Sequence, residues 1–163
     1  MSTQVDKTGT DARAQRSLDS WVSFLRAHSA ITRQLSAELQ RRHGLTANDY
    51  EVLLHLSHAE GLRLRRVDLA ESILLTASGI TRLLEGLERA GLVCKETCQS
   101  DARVSYAKLT DAGLARLRDA RGPHLADVHE LFLGRYSDAE LDTLAELLSR
   151  LPMKDSDAAA SCG

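Results

Sequence analysis

From about Leu18 to Arg42 the apolar residues Leu18, Trp21, Val22, Leu25, Ile31, Leu35 and Leu39 fall mostly three or four apart. That spacing predicts one face of a long helix. The segment "HGLTAND" should end it. Gly44 suits a C-terminal cap, and Thr46 with Asp49 three residues on forms a capping box for the next helix. This second helix carries Tyr50, Val52, Leu53, Leu54 and Leu56 and is expected to stop at Gly61.

Two helical segments follow with a short break, "RRVDLAESI" and "TASGITRLLEGLERAGLV". In the second, Ile80, Leu83, Leu84 and Leu87 make a buried stripe, and Ser78, Arg82, Glu85 and Arg89 fall on the opposite face. Thr76 is a good N-cap and Gly91 a good stop. A short helix, a tight turn and a helix with a polar outer face predict helix-turn-helix geometry. The period then changes to two over Leu92 to Thr97 and Val104 to Leu109, which predicts a hairpin with a polar tip at Gln99 to Arg103. Thr110 should cap a further helix that Gly122-Pro123 bends or restarts. It continues through Leu125, Val128, Leu131 and Phe132. A capping box at Ser137 and Glu140 opens the last helix, with Leu141, Leu144, Leu147, Leu148 and Leu151. The fold class is mainly α with a small β-hairpin wing, a winged helix-turn-helix joined to a helical dimerisation region from both termini.

Composition adds two points. Hydrophobic residues make up 43% of the 163 and aromatic residues only 4%, so the core must be Leu, Ala, Val and Ile. Formal net charge is −2, which argues mildly against a nucleic-acid binder. The charge is unevenly placed, however. Arg63, Arg65, Arg66, Arg82, Arg89, Lys95 and Arg103 crowd the middle, while acids dominate after Asp138, so an acidic end hides a basic face.

Candidate chemistry is sparse. No nucleophile elbow, phosphate loop, dinucleotide fingerprint or carboxylate pair is present, so neither enzyme activity nor a cofactor is expected. His55 and His58 have metal-like spacing without further ligands nearby, and no metal site is expected. Cys94, Cys98 and Cys162 form no CxxC pair. Cys94 and Cys98 suggest a thiol switch, with Lys95 lowering a thiol pKa, although four strand steps separate them by about 13 Å. The opening "MSTQVDKTGTDARAQR" lacks the apolar core of a signal peptide, and no apolar run approaches membrane-spanning length. A cytoplasmic protein without membrane contact is expected.

A helix-turn-helix followed at once by a hairpin is the winged-helix arrangement, whose second helix enters the major groove of duplex DNA. The small residues Ala77, Ser78 and Gly79 let that helix approach closely, and Thr81 and Arg82 can reach base edges or phosphates. "DLAESILLTASGITRLLEGLERAGLV" followed by "SDARVSYAKLTDAG" resembles the MarR family of multiple-antibiotic-resistance-type transcriptional regulators. The wing carries the family pattern through Asp101, Arg103, Leu109, Thr110 and Gly113. The helix pair carries it through Leu69-Ala70, Ser78, Thr81, Leu84, Leu87, Glu88 and Gly91-Leu92-Val93. The resemblance spans roughly Leu18 to Leu151 and implies obligate dimers, pseudo-palindromic operators and often a small-molecule pocket. Two departures remove positive charge: Ala102 stands where an arginine is frequent, and Cys94 where a basic residue is common.

The candidate DNA contacts are Arg66, Thr76, Ser78, Gly79, Thr81 and Arg82, with Ser100, Asp101 and Arg103 on the wing. Candidate effector contacts, for a small aromatic or amphipathic molecule, are Trp21, His28, Asp49 and Tyr50. Relatives that sense urate or phenolic acids are similar in placing a tryptophan on the first helix and an aspartate early on the second. Asp49 also reads as no more than the capping partner of Thr46. Homodimer formation is assigned to Leu18, Val22, Leu125, Val128, Leu131, Phe132, Leu141, Leu144, Leu148 and Leu151, more apolar surface than one small core can bury. The expected organisation is a disordered tail (1–14), a dimerisation region (15–45 and 111–151), a DNA-binding lobe (46–110) and a disordered tail (152–163). The expected function is a dimeric repressor released from its operator by the effector. The alternatives are a winged-helix protein-interaction module that binds no DNA, or a thiol-based redox regulator.

Overall fold

The structure, a computed structural model of the chain, describes residues 7–73, 75–97 and 105–151, and of residues 7–14, 16 and 17 the backbone only. Six helices are described: α1 (Lys7–His43), α2 (Ala47–His58), α3 (Arg66–Ser72), α4 (Ala77–Arg89), α5 (Asp111–Leu131) and α6 (Asp138–Ser149). Strands β1 (Arg63–Arg65), β2 (Val93–Thr97) and β3 (Ser105–Leu109) make one antiparallel sheet in the order β1-β3-β2. Helix formation follows the predicted caps. Thr46 and Asp49 exchange both capping-box bonds, Ser137 and Glu140 do the same, and the Thr76 and Thr110 hydroxyls accept from the amides of Gly79 and Gly113. Gly44 and Gly91 stop their helices with φ of 65° and 71°, the left-handed region that glycine enters without steric cost.

Three features differ from the sequence expectation. First, α1 begins at Lys7 instead of near Leu18. The added turns contain no proline and several good helix formers, but no apolar stripe, so periodicity gave no sign of them. Second, a third strand, β1, pairs with β3 through Arg63↔Lys108, Leu64↔Ala107 and Arg65↔Tyr106. Three residues with one apolar position are too short to show a period of two. Third, α5 runs unbroken through Pro123. A proline removes one backbone bond, and here packing holds the helix beyond it. The His124 ring lies 4.6 Å from the Tyr50 ring on α2, and Asp127 pairs with Arg42 at 3.3 Å.

The chain divides into two compact units, Met1–Gln34 and Leu35–Gly163. The first is the N-terminal length of α1, where the rings of Trp21, Phe24 and His28 stack in succession along one side. The second holds the core. Val52, Leu53 and Leu56 of α2, Leu69 of α3 and Leu84 of α4 are fully buried, with Ala107 and Leu109 of β3 and Leu117 and Ala120 of α5 against them. Each such leucine contributes about 1.5–3 kcal/mol through removal from water.

The tightest joint links α4, the sheet and α5. The Thr110 hydroxyl donates to the Gly91 carbonyl at 2.7 Å, and the Thr110 amide donates to the Leu92 carbonyl at 3.2 Å. A Cβ built on Gly113 would overlap the Leu92 carbonyl oxygen and stand 2.8 Å from Leu109 Cδ1. Gly113→Ala is therefore expected to cost about 1–3 kcal/mol of stability in urea unfolding. Gly86→Ala, inside α4 with nothing within 4 Å of its would-be Cβ, should instead be neutral or stabilise by up to about 1 kcal/mol. Equal effects of the two would contradict the packing described for Gly113.

Candidate nucleic-acid interface

The first turns of α4 bring five of the predicted contact residues together. The Thr76 hydroxyl accepts from the Gly79 amide at 3.1 Å and lies 3.2 Å from the Ser78 hydroxyl, so it is occupied in holding the helix start. A Cβ at Gly79 would stand 3.2 Å from that oxygen, so the glycine leaves the cap undisturbed. Thr81 is half-buried and donates back to the Ala77 carbonyl at 2.8 Å, which turns its hydroxyl into the helix. Ser78 and Arg82 are the outward members. Both are exposed, and Arg82 makes no ion pair with any described residue.

Arg66 opens α3 and meets this surface across a groove of about 490 Å³, lined among others by Arg66, Val67, Ala70, Leu75, Ala77 and Thr81. Its Nη2 is buried and hydrogen-bonded to no described group. The remaining cations of the basic middle are divided. Arg65 makes a two-pronged pair with Asp68 at 2.6 and 2.7 Å, and that bonding pushes its pKa up. Arg63 donates to Glu96 at 2.8 Å, and Arg89 to the Glu85 carbonyl at 3.2 Å. Sequence counted all these arginines alike. Of their carboxylate partners, Asp68 stands only three residues after Arg65, whereas the pairing of Arg63 with Glu96 joins two strands 33 positions apart and leaves no spacing signal.

Of the wing, β2 and β3 are described, in the register Val93↔Leu109, Lys95↔Ala107 and Thr97↔Ser105. Ser100, Asp101 and Arg103 lie outside the described residues, as do Cys98 and Cys162. Cys94 is a free, exposed thiol on β2. Among the described residues no group of three or more His, Cys, Asp or Glu could hold a metal ion. No helix among them is long and apolar enough to cross a membrane.

The four effector candidates fall in both units. Trp21 and His28 belong to the first, each stacked on Phe24, and Trp21 is 56% exposed. Asp49 and Tyr50 belong to the second. Asp49 accepts from the Thr46 amide at 2.7 Å, the capping role that sequence also allowed. Burial pushes the Tyr50 phenol up, opposed by Arg121, and pushes the His124 imidazole beside it down, opposed by Asp127. The apolar stripe assigned to dimerisation is open in the single chain. Leu18, Val22, Leu125 and Leu151 are exposed at 57, 40, 53 and 47%, and α6 has no buried residue. Val128, Leu131, Phe132, Leu141, Leu144 and Leu148 are half-buried.

Comparison with known proteins agrees with this architecture. Residues 43–104 match the model of the MarR family. Over 137 residues the chain is 27% identical to the HTH-type transcriptional regulator MhqR of Bacillus subtilis, covering 84% of this chain and 92% of that protein. AbsC, a MarR family transcriptional regulator from Streptomyces coelicolor, is 33% identical with a TM-score of 0.75 over 90% of this chain and 93% of its own. Sco3205, a MarR family regulator from the same organism solved in complex with DNA, is 30% identical with a TM-score of 0.79 over 83% and 84%.

Proposed function

We propose a function from one premise: this chain belongs to the MarR family of winged-helix transcriptional regulators. It is a regulator and not an enzyme, and the proposal concerns how it regulates. It binds a pseudo-palindromic operator in duplex DNA as a homodimer, in the cytoplasm, and represses until a small aromatic or amphipathic effector releases it. The observation that carries DNA reading is the outward face of α4, where Ser78 and Arg82 are exposed, Arg82 has no ion-pair partner among the described residues, and Gly79 keeps the helix start narrow. Arg66, Thr76, Gly79 and Thr81 serve that face by position or by phosphate contact. On the wing Arg103 follows the backbone or the narrow minor groove, Ser100 contacts phosphate, and Asp101 shapes the tip.

Duplexes from DNA flanking the gene, titrated at several salt concentrations, test this reading. Arg82→Ala should relax specificity by about 1–3 kcal/mol if the arginine pairs with a guanine. Arg103→Ala should instead weaken all sequences and lower the salt slope by about one per lost phosphate contact, hence about two per dimer. Operator binding indifferent to both substitutions would refute the assignment.

Dimerisation is supported by α6, a well-capped helix whose apolar stripe is half open to solvent in the single chain. Replacing Leu144 and Leu148 together with Glu should put unpaired charge into that interface and dissociate or unfold the protein. Sedimentation of the wild type as a monomer at all concentrations is the contrary result. Effector release is supported by the aromatic run on α1 and by the Tyr50–His124 pair. Trp21 is the sole tryptophan, so its fluorescence should change as a ligand that lowers DNA affinity binds. A panel of phenolic acids and purines that neither alters the fluorescence nor releases DNA would remove this part.

A further inference from the structure

The outer face of the sheet carries Arg63 and Arg65 from β1, Tyr106 and Lys108 from β3, and Cys94 and Glu96 from β2, since register partners share a face. Each of its cations pairs with a carboxylate, Arg65 with Asp68, and Arg63 and Lys108 with the single Glu96 that they share. The arrangement of Glu96 is more specific than neutralisation requires. β2 is an edge strand that hydrogen-bonds only to β3. Glu96 nevertheless reaches over β3 to β1, where Oε1 accepts from Arg63 Nη1 at 2.8 Å. The Arg63 guanidinium stands 5.1 Å above the centre of the Tyr106 ring, and Tyr106 is the register partner of Glu96. The other oxygen, Oε2, is buried and lies 3.4 Å from Lys108 Nζ, an ion pair without a hydrogen bond. One carboxylate thus joins three strands over an aromatic spacer.

Its place in the chain gives that link a use. Glu96 is the penultimate residue of β2, immediately before the segment leading to the wing tip. β1 ends at Arg65, the residue that precedes α3 at its N-cap and is itself clamped to Asp68. We infer that Glu96 is a positioning residue for DNA binding: by holding Arg63 and Lys108 it fixes the wing's attitude relative to the helix-turn-helix. An acid on a face near phosphate lowers DNA affinity by its charge alone. The positioning role and the simple charge effect therefore predict opposite signs on its removal.

This inference rests on the DNA-binding reading above, and the test separates the two. Glu96→Gln, Arg63→Gln and the double variant are made in the full chain and titrated with operator at several salt concentrations. Thermal unfolding is followed in parallel, and amide hydrogen exchange of β2 is measured without DNA. Glu96→Gln should bind about fivefold more weakly despite its added net positive charge, with a shallower salt slope as wing contacts are lost. Its β2 amides should exchange faster. In the Arg63→Gln background the same substitution should have little further effect, because the two act through one link. Operator binding by Glu96→Gln as tight as wild type or tighter overturns the inference, as does an equal loss in both backgrounds. Unchanged β2 exchange overturns it without reference to DNA. If the wild type itself binds no duplex, the DNA-binding reading fails, and the exchange comparison still decides whether Glu96 holds the wing. Should Glu96→Gln unfold, Glu96→Asp, which keeps the charge on a shorter arm, must show the weaker binding and faster exchange.

Discussion

The recognition helix, the sheet and α5 are joined at one backbone position, the carbonyls of Gly91 and Leu92. The end of α4, the start of β2, the end of β3 and the first turn of α5 meet there, through the Thr110 hydroxyl and amide and the bare Cα of Gly113. The carbonyl of the buried Leu92 needs a donor, and a donor fixed by a helix cap has little freedom to wander. The cap of α5 therefore also fixes the angle at which the sheet leaves α4. This gives a physical reason for the Leu-Thr-x-x-Gly run, in which Leu109 fills the core, Thr110 bonds both ways and Gly113 permits the approach.

The second constraint is electrostatic. A chain with net charge −2 reads a polyanion only if its cations are sorted. The structure sorts them. Arg63 and Arg65 are tied to Glu96 and Asp68 and build the frame, whereas Arg82 and part of Arg66 are left without carboxylate partners among the described residues. Exposed pairs of this kind contribute only about 0–1 kcal/mol each to stability, so their value lies in geometry. The frame aligns strands, and the unpaired cations remain for contact.

Away from the joint, Leu18 and Val22 of α1 and the apolar stripe of α6 stay open or half-buried in the single chain. α6 has a full capping box and an apolar stripe but buries no residue. A capped amphipathic helix whose apolar stripe stays half open gains stability from whatever covers it, which is the physical basis for proposing a second copy there.

The sequence by itself determined the helices, their caps and the hairpin. These depend on local periodicity and on residues such as Thr46, Thr76, Thr110 and Gly91, whose effects reach only three or four positions. It also carried the resemblance on which family membership was first read, because that pattern records the joint at Leu109, Thr110 and Gly113. Sequence could not show β1, the passage of α5 through Pro123 or the pairing of Arg63 with Glu96. Each is decided by a partner distant in the chain: β3 for the strand, Tyr50 and Arg42 for the helix beyond the proline, and a carboxylate 33 positions away for the arginine. Local signals fix local conformation, and only packing brought those partners within reach of one another.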